Sequence, residues 1–201
     1  MKLYYSPGAC SLAAHIILRE AGYSFDLEKV DLAAKTTAGG HDFTALNPKG
    51  YVPVLQFDDG QVLTENIAIG EYLADHKPES GLAPIVGTLE RYRLVEWLAF
   101  ISTEIHKQFG PLFKPDTPDA TRQAQKDVLA KRFDYVVGQL ANHQYLTGDF
   151  SVADAYLFTV LRWAVMMKFD MKRWPVLETY MTRVAARPQV RAALEAEGLA
   201  A

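Results

Sequence analysis

The only cysteine of the chain, Cys10, lies in Tyr4-Tyr5-Ser6-Pro7-Gly8-Ala9-Cys10-Ser11, where a β-forming run breaks at Ser-Pro-Gly and a helical pattern begins. A thiol at such a junction sits at a helix N-terminus, whose unpaired N–H groups and partial positive charge favour a thiolate. Magnitudes limit what this can achieve. A free thiol of pKa about 8.5 is a few per cent ionised at pH 7, and lowering that pKa by two units takes about 2.7 kcal/mol. A helix terminus supplies about 0.3–1 kcal/mol and at best about 2. An activated Cys10 therefore requires a second cationic or hydrogen-bonding partner, and His106 and Lys107 are the residues to examine. Position alone leaves the alternative equally open: a small, buried, inert side chain.

Three other groups carry chemistry. Val52-Pro53 opens a strand, and proline has no N–H for a sheet ladder, so it belongs at a strand's first residue or at an edge. The Val52 N–H and C=O are then positioned to pair with an extended peptide, although an ordinary edge proline fits the pair as well. Thr64-Glu65-Asn66 joins a strand to a helix. Backbone amides there suit a carboxylate and the Glu65 side chain an ammonium, the two ends of an amino acid, while a simple helix cap is the plainer reading. Thr103, Glu104, His106 and Lys107 form a polar cluster on a long helix. Leu94, Trp97, Leu98, Ile101 and Ile105 form that helix's apolar stripe, and Ala99, Thr103 and His106 fall on a separate one. A solvated helix face gives the same pattern.

The elements that must position these groups follow from periodicity. Residues 2–5 read as a strand, 11–21 as a helix stopped at Gly22, and 24–30 as a half-buried strand. Residues 35–45 read as loop with a weak helix. Residues 52–57 and 62–63 read as strands joined at Asp58-Asp59-Gly60, and 65–74 as a helix. The order implies a small mixed sheet covered by helices. A polar stretch rich in Pro, Gly and Ser follows, and beyond it only helical patterns occur, at 88–109, 118–141, 151–167, 176–186 and 190–197. Ser151-Val152-Ala153-Asp154 carries the capping pattern. The expected organisation is an α/β domain over residues 1–77, a linker at 78–86 and an all-α domain over 87–201.

Bulk properties exclude several classes. At 201 residues the chain can form one large or two small domains, and 49% apolar with 22% charged residues is ordinary for a globular protein. A net charge of −3 gives no basic footprint for nucleic acid or an anionic membrane. One cysteine cannot form an internal disulfide. Residues 3–18 lack Lys, Arg, Asp and Glu, but the Ser-Pro-Gly break and His15 interrupt them and no Ala-x-Ala site follows, so a cytoplasmic protein is expected. No stretch is long and apolar enough to span a bilayer.

Five ordered segments together resemble the glutathione transferases, in particular the bacterial beta class: the opening Met1 to Ser11, Asn47-Pro48-Lys49-Gly50-Tyr51-Val52-Pro53-Val54-Leu55, Leu63-Thr64-Glu65-Asn66-Ile67-Ala68-Ile69, Glu104-Ile105-His106-Lys107, and Gly148-Asp149-Phe150-Ser151-Val152-Ala153-Asp154-Ala155. The resemblance spans essentially the whole chain. It implies a thioredoxin-like first domain that binds glutathione, with Pro53 cis and Val52 paired to the cysteinyl backbone. It also implies that Glu65 and Asn66 hold the γ-glutamyl end and Lys35 a carboxylate, the glycyl one. Cys10 would lie against the glutathione sulfur, with His106 and Lys107 reaching the same atom. Thr103 and Glu104 match ligand-contacting positions of a homodimer, and Tyr5 is a neighbour of minor role. Ala99 stands where the beta class commonly has asparagine, so one hydrogen bond to glutathione is expected to be missing and affinity to be lower.

The reaction implied is addition of the glutathione thiolate to a small apolar electrophile, without metal. Glutathione-dependent disulfide exchange or peroxide reduction through Cys10 is the enzymatic rival, since glutathione can supply the resolving thiol. A carrier of apolar ligands or a docking module is the non-enzymatic one.

Overall fold

The computed structural model describes residues 1–200, which form two compact units. The first comprises Met1–Ala83 together with the chain from Ala185 onward, and the second is Pro84–Val184.

The first unit is built on a five-stranded sheet of β1 (Lys2–Tyr5), β2 (Asp26–Asp31), β3 (Thr36–Thr37), β4 (Val54–Gln56) and β5 (Val62–Thr64), in the order β3-β2-β1-β4-β5. Strands β1 and β2 run parallel, which a two-residue hairpin cannot connect, and α1 (Ser11–Glu20) makes the crossover. The other pairings are antiparallel, and the β4–β5 hairpin turns at Gly60, whose φ is +87°. Alternation buries Leu3 and Tyr5 of β1. Helix α1 ends as its sequence predicts: Gly22 is left-handed and the Tyr23 amide donates to the Leu18 carbonyl. Helices α2 (Phe43–Leu46) and α3 (Asn66–Asp75) complete the α/β part. The sequence reading of residues 35–45 misses β3, which is too short to alternate.

The C-terminal stretch differs from the sequence reading, which gave all of 87–201 to the helical domain. Helix α9 (Pro188–Ala196, numbered after the helices below) packs on α1 and buries Val190, Ala193 and Leu194. Arg187 grips Glu20 of α1 through two hydrogen bonds of 2.7 and 2.8 Å. A polar tether and an apolar face thus return the end of the chain to its beginning.

The second unit holds α4 (Leu89–Phe100), a π-helical stretch Ile101–His106, α5 (Lys107–Phe113), α6 (Asp119–Leu140), α7 (Val152–Met166) and most of α8 (Pro175–Ala185). Leu94, Leu98, Ile101 and Ile105 are buried as their spacing predicts. Trp97 is not: it is half-buried, with its ring 5.8 Å from Phe100 and 5.9 Å from Tyr135. Three residues after Leu94, it stands about 60° off the stripe's axis, far enough to leave the core. Helix α7 is buried on nearly every side, the mark of a central helix. Its capping box forms as read from the sequence, with the Ser151 amide and hydroxyl donating to Asp154 at 3.0 and 2.8 Å. Among the described residues no helix is long and apolar enough to cross a membrane.

Candidate functional site

Cys10 follows a tight turn. Pro7 and a left-handed Gly8 (φ +70°) occupy its centre, and the Ala9 amide closes it on the Ser6 carbonyl at 3.0 Å, the arrangement of a type II turn. The buried Ser11 hydroxyl accepts from the Ser6 amide at 3.2 Å and bonds the Ser6 carbonyl at 3.3 Å. Cys10 caps α1 and already has helical dihedrals.

The Cys10 thiol donates to the Val52 carbonyl oxygen at 3.2 Å. The residue keeps part of its surface open. Burial of the sulfur nevertheless pushes the thiol up to about 12, while the Asn66 side chain and the Cys10 and Ser11 amides pull it back and the Glu65 charge adds to the rise. This reverses the expectation that the helix terminus favours a thiolate. Ionising the thiol in that surrounding costs more than a helix terminus returns.

Val52 belongs to a buried cluster with Val30, Phe43 and Val54, so its main chain is fixed by its own side chain. The Val52–Pro53 peptide is cis. The preceding turn is held by buried Asn47, which donates to the Tyr51 carbonyl at 2.8 Å and accepts from the Lys49 amide at 3.2 Å. Lys35, exposed and left-handed at φ 58°, donates to the Gly50 carbonyl at 2.7 Å.

Glu65 precedes α3 with φ +77°, unusual for a residue with a side chain. Its carboxylate accepts from Lys49 Nζ at 2.5 Å and the Tyr51 hydroxyl at 2.9 Å. The sequence reading missed both partners, although both lie in the Asn47-to-Leu55 segment. The Asn66 Oδ1 atom is buried with no hydrogen-bond partner among the described residues. Val52, Pro53, Glu65 and Asn66 thus gather with Cys10 in the first unit, and Lys35 joins them through Gly50.

Tyr5 faces elsewhere. Its ring lies 6.2 Å from that of His15, and burial, then the Glu197 charge, raise its hydroxyl above the usual phenol range.

The remaining candidates belong to the second unit. His106 ends the π-helical stretch, with Nδ1 2.6 Å from the Tyr156 hydroxyl and its ring edge-on to Trp163 at 4.8 Å. Trp163 also meets Phe109 and Phe113 at 5.5 and 5.2 Å. Thr103 donates to the Ala99 carbonyl at 3.0 Å, and Glu104 accepts from Arg132 at 2.7 Å. Lys107 is exposed. No sequence signal connects Tyr156 with His106, fifty residues apart.

Two family models match the chain: "Glutathione S-transferase, N-terminal domain" over residues 8–76 and "Glutathione S-transferase, C-terminal domain" over residues 100–188. The glutathione S-transferase GstA of Escherichia coli O157:H7 is 49% identical over 200 residues, covering 99% of this chain and 100% of that protein. A sphingomonad glutathione S-transferase solved in complex with glutathione superposes with a TM-score of 0.95 at 49% identity, covering 100% of both chains. A bacterial beta-class glutathione S-transferase from Sphingomonas chungbukensis gives 0.96 at 48%, again covering 100% of both. The chain belongs to the glutathione S-transferase family.

Proposed function

We propose that this chain binds glutathione along the Val52 main chain and promotes attack of its sulfur on small apolar electrophiles. The observation that carries the reading is the Val52 carbonyl, anchored by its own buried side chain and 3.2 Å from the Cys10 sulfur. An extended cysteinyl residue can pair with that main chain by strand addition. Glu65 is then the counter-ion of the γ-glutamyl ammonium. The buried Asn66 Oδ1 supports this, because an unmatched acceptor costs about 1–3 kcal/mol and a ligand N–H would relieve it. Lys35 is assigned to the glycyl carboxylate, and Pro53 to holding the Val52 geometry.

His106 and Lys107 are assigned to stabilising the sulfur anion, and Thr103 and Glu104 to ligand contacts in a homodimer. Tyr5 keeps a minor neighbouring role. The small apolar electrophile is assigned by likeness to the family whose C-terminal domain model matches residues 100–188. In the reaction the glutathione sulfur supplies the electron pair of a new carbon–sulfur bond. The pair displaced from the electrophilic carbon moves to its neighbouring atom or leaves with a departing group, and the thiol proton passes to solvent. The protein is assigned to the cytoplasm.

A Cys10 thiol pushed up to about 12 favours conjugation over a mechanism in which Cys10 itself attacks. Replacing Cys10 with alanine separates the two. Conjugation should persist at least in part and glutathione–disulfide exchange should vanish; total loss of conjugation with intact glutathione affinity would reverse the ranking. Retention on immobilised glutathione, with release by free glutathione, tests the binding step. Flow-through under reducing conditions would instead favour a carrier.

A further inference from the structure

Glu197 lies just beyond α9 with its side chain fully buried, and both carboxylate oxygens reach the start of the chain. Oε2 accepts from the Gly8 amide at 2.9 Å, and Oε1 lies 2.9 Å from His15 Nδ1. The far side of the imidazole fixes its proton. Arg19 Nε, which can only donate, points at His15 Nε2 from 2.9 Å. Nε2 must therefore accept, the ring proton sits on Nδ1, and His15 donates to Glu197. One carboxylate thus receives two directed N–H bonds, one from the turn and one from α1.

Those two anchor points bracket Cys10, which lies two residues after Gly8 and five before His15. In a type II turn the amide of the glycine points away from the closing hydrogen bond, so Gly8 needs an external acceptor. Leu199 covers the same glycine, its side chain 3.6 Å from where a Gly8 Cβ would stand. We propose that Glu197 is a positioning residue for the Cys10 turn, holding the sulfur against the Val52 carbonyl from the opposite end of the chain. The consequence for activity rests on the glutathione reading above; the consequence for the sulfur does not.

Two substitutions separate positioning from general stability. Glu197→Gln keeps the shape but leaves one acceptor oxygen for two donors, so an NH2 group must face either Gly8 or His15. Glu20→Gln weakens the Arg187 tether between the same helices without touching the turn. Both variants should lower Tm. The decisive measurements are the rate of Cys10 alkylation by iodoacetamide across pH, and KM against kcat with glutathione and an aryl halide. Glu197→Gln should speed alkylation at least about threefold and lower kcat/KM for glutathione by about tenfold. Glu20→Gln should leave both within about twofold.

Equal effects of the two variants, or an alkylation rate unchanged in Glu197→Gln, would overturn the proposal. Should Glu197→Gln fail to fold, Leu199→Ala takes its place in the comparison with Glu20→Gln, with the same direction expected and the same outcomes decisive. Absence of glutathione binding in the unaltered protein would sink the functional reading alone, because the alkylation measurement needs no ligand.

Discussion

At the Cys10 turn, hydrogen-bonding groups are buried and matched: Ser11 serves Ser6, and Glu197 serves Gly8 and His15. At Glu65, in the same unit, charges stand in solvent, with Lys49 and the Glu65 side chain each about half exposed. The same kinds of atoms meet at similar distances in both places, but the energies differ several-fold. Removing one partner from a buried pair costs about 3–5 kcal/mol, whereas an exposed ion pair contributes about 0.2–1 kcal/mol. The turn is therefore a fixed reference, and the Glu65 rim is free to exchange an internal partner for a ligand.

Four outcomes would break or sharpen this contrast. His15→Ala should destabilise the chain by about 3–5 kcal/mol in urea unfolding, since it leaves the buried Glu197 carboxylate short of a donor. A loss below about 1 kcal/mol would mean that the turn is no more rigid than the rim.

The second concerns alkaline pH. The folded Cys10 thiol is raised from 9.0 to about 12, so its contribution to stability is complete below pH 9 and is lost as pH rises through 12. Between pH 8 and pH 11 the unaltered protein should lose about 3 kcal/mol more than Cys10→Ala. Parallel losses in urea melts of the two proteins would show the sulfur to be solvated.

The third and fourth lie at the rim. Glu65→Ala should raise the glutathione KM by about tenfold, with unfolding free energy changed by less than about 1 kcal/mol. Lys49→Ala should lower that KM by about two- to threefold, because the lysine occupies the carboxylate offered to the ligand's ammonium. A higher KM would instead make Lys49 a ligand contact.

What could be read from sequence divides along the same line. The Ser-Pro-Gly break, the Val52-Pro53 pair, the Thr64-Glu65-Asn66 junction and the Ser151–Asp154 cap are local, each fixed by backbone rules within a few residues. Strand β3 escaped because two residues carry no period. Trp97 was misplaced because a stripe's edge looks like its centre in one dimension. The direction of the Cys10 shift was not legible, since it depends on how much protein surrounds the sulfur and not on what precedes it in the chain. Glu197 reads as an ordinary acid near a helix end. Only folding brings it to Gly8, 189 residues earlier.

The return of the last helix to the first sheet also imposes an order in time. Translation delivers the strands and α1 first, then the hundred or so residues of Pro84–Val184, and only afterwards α9 and Glu197. At about 5–20 residues per second the delay is about 5–20 s. Through that interval the nascent sheet must wait with the α1 surface that receives α9 uncovered, while the helical unit, encoded later, has all its own residues in hand first.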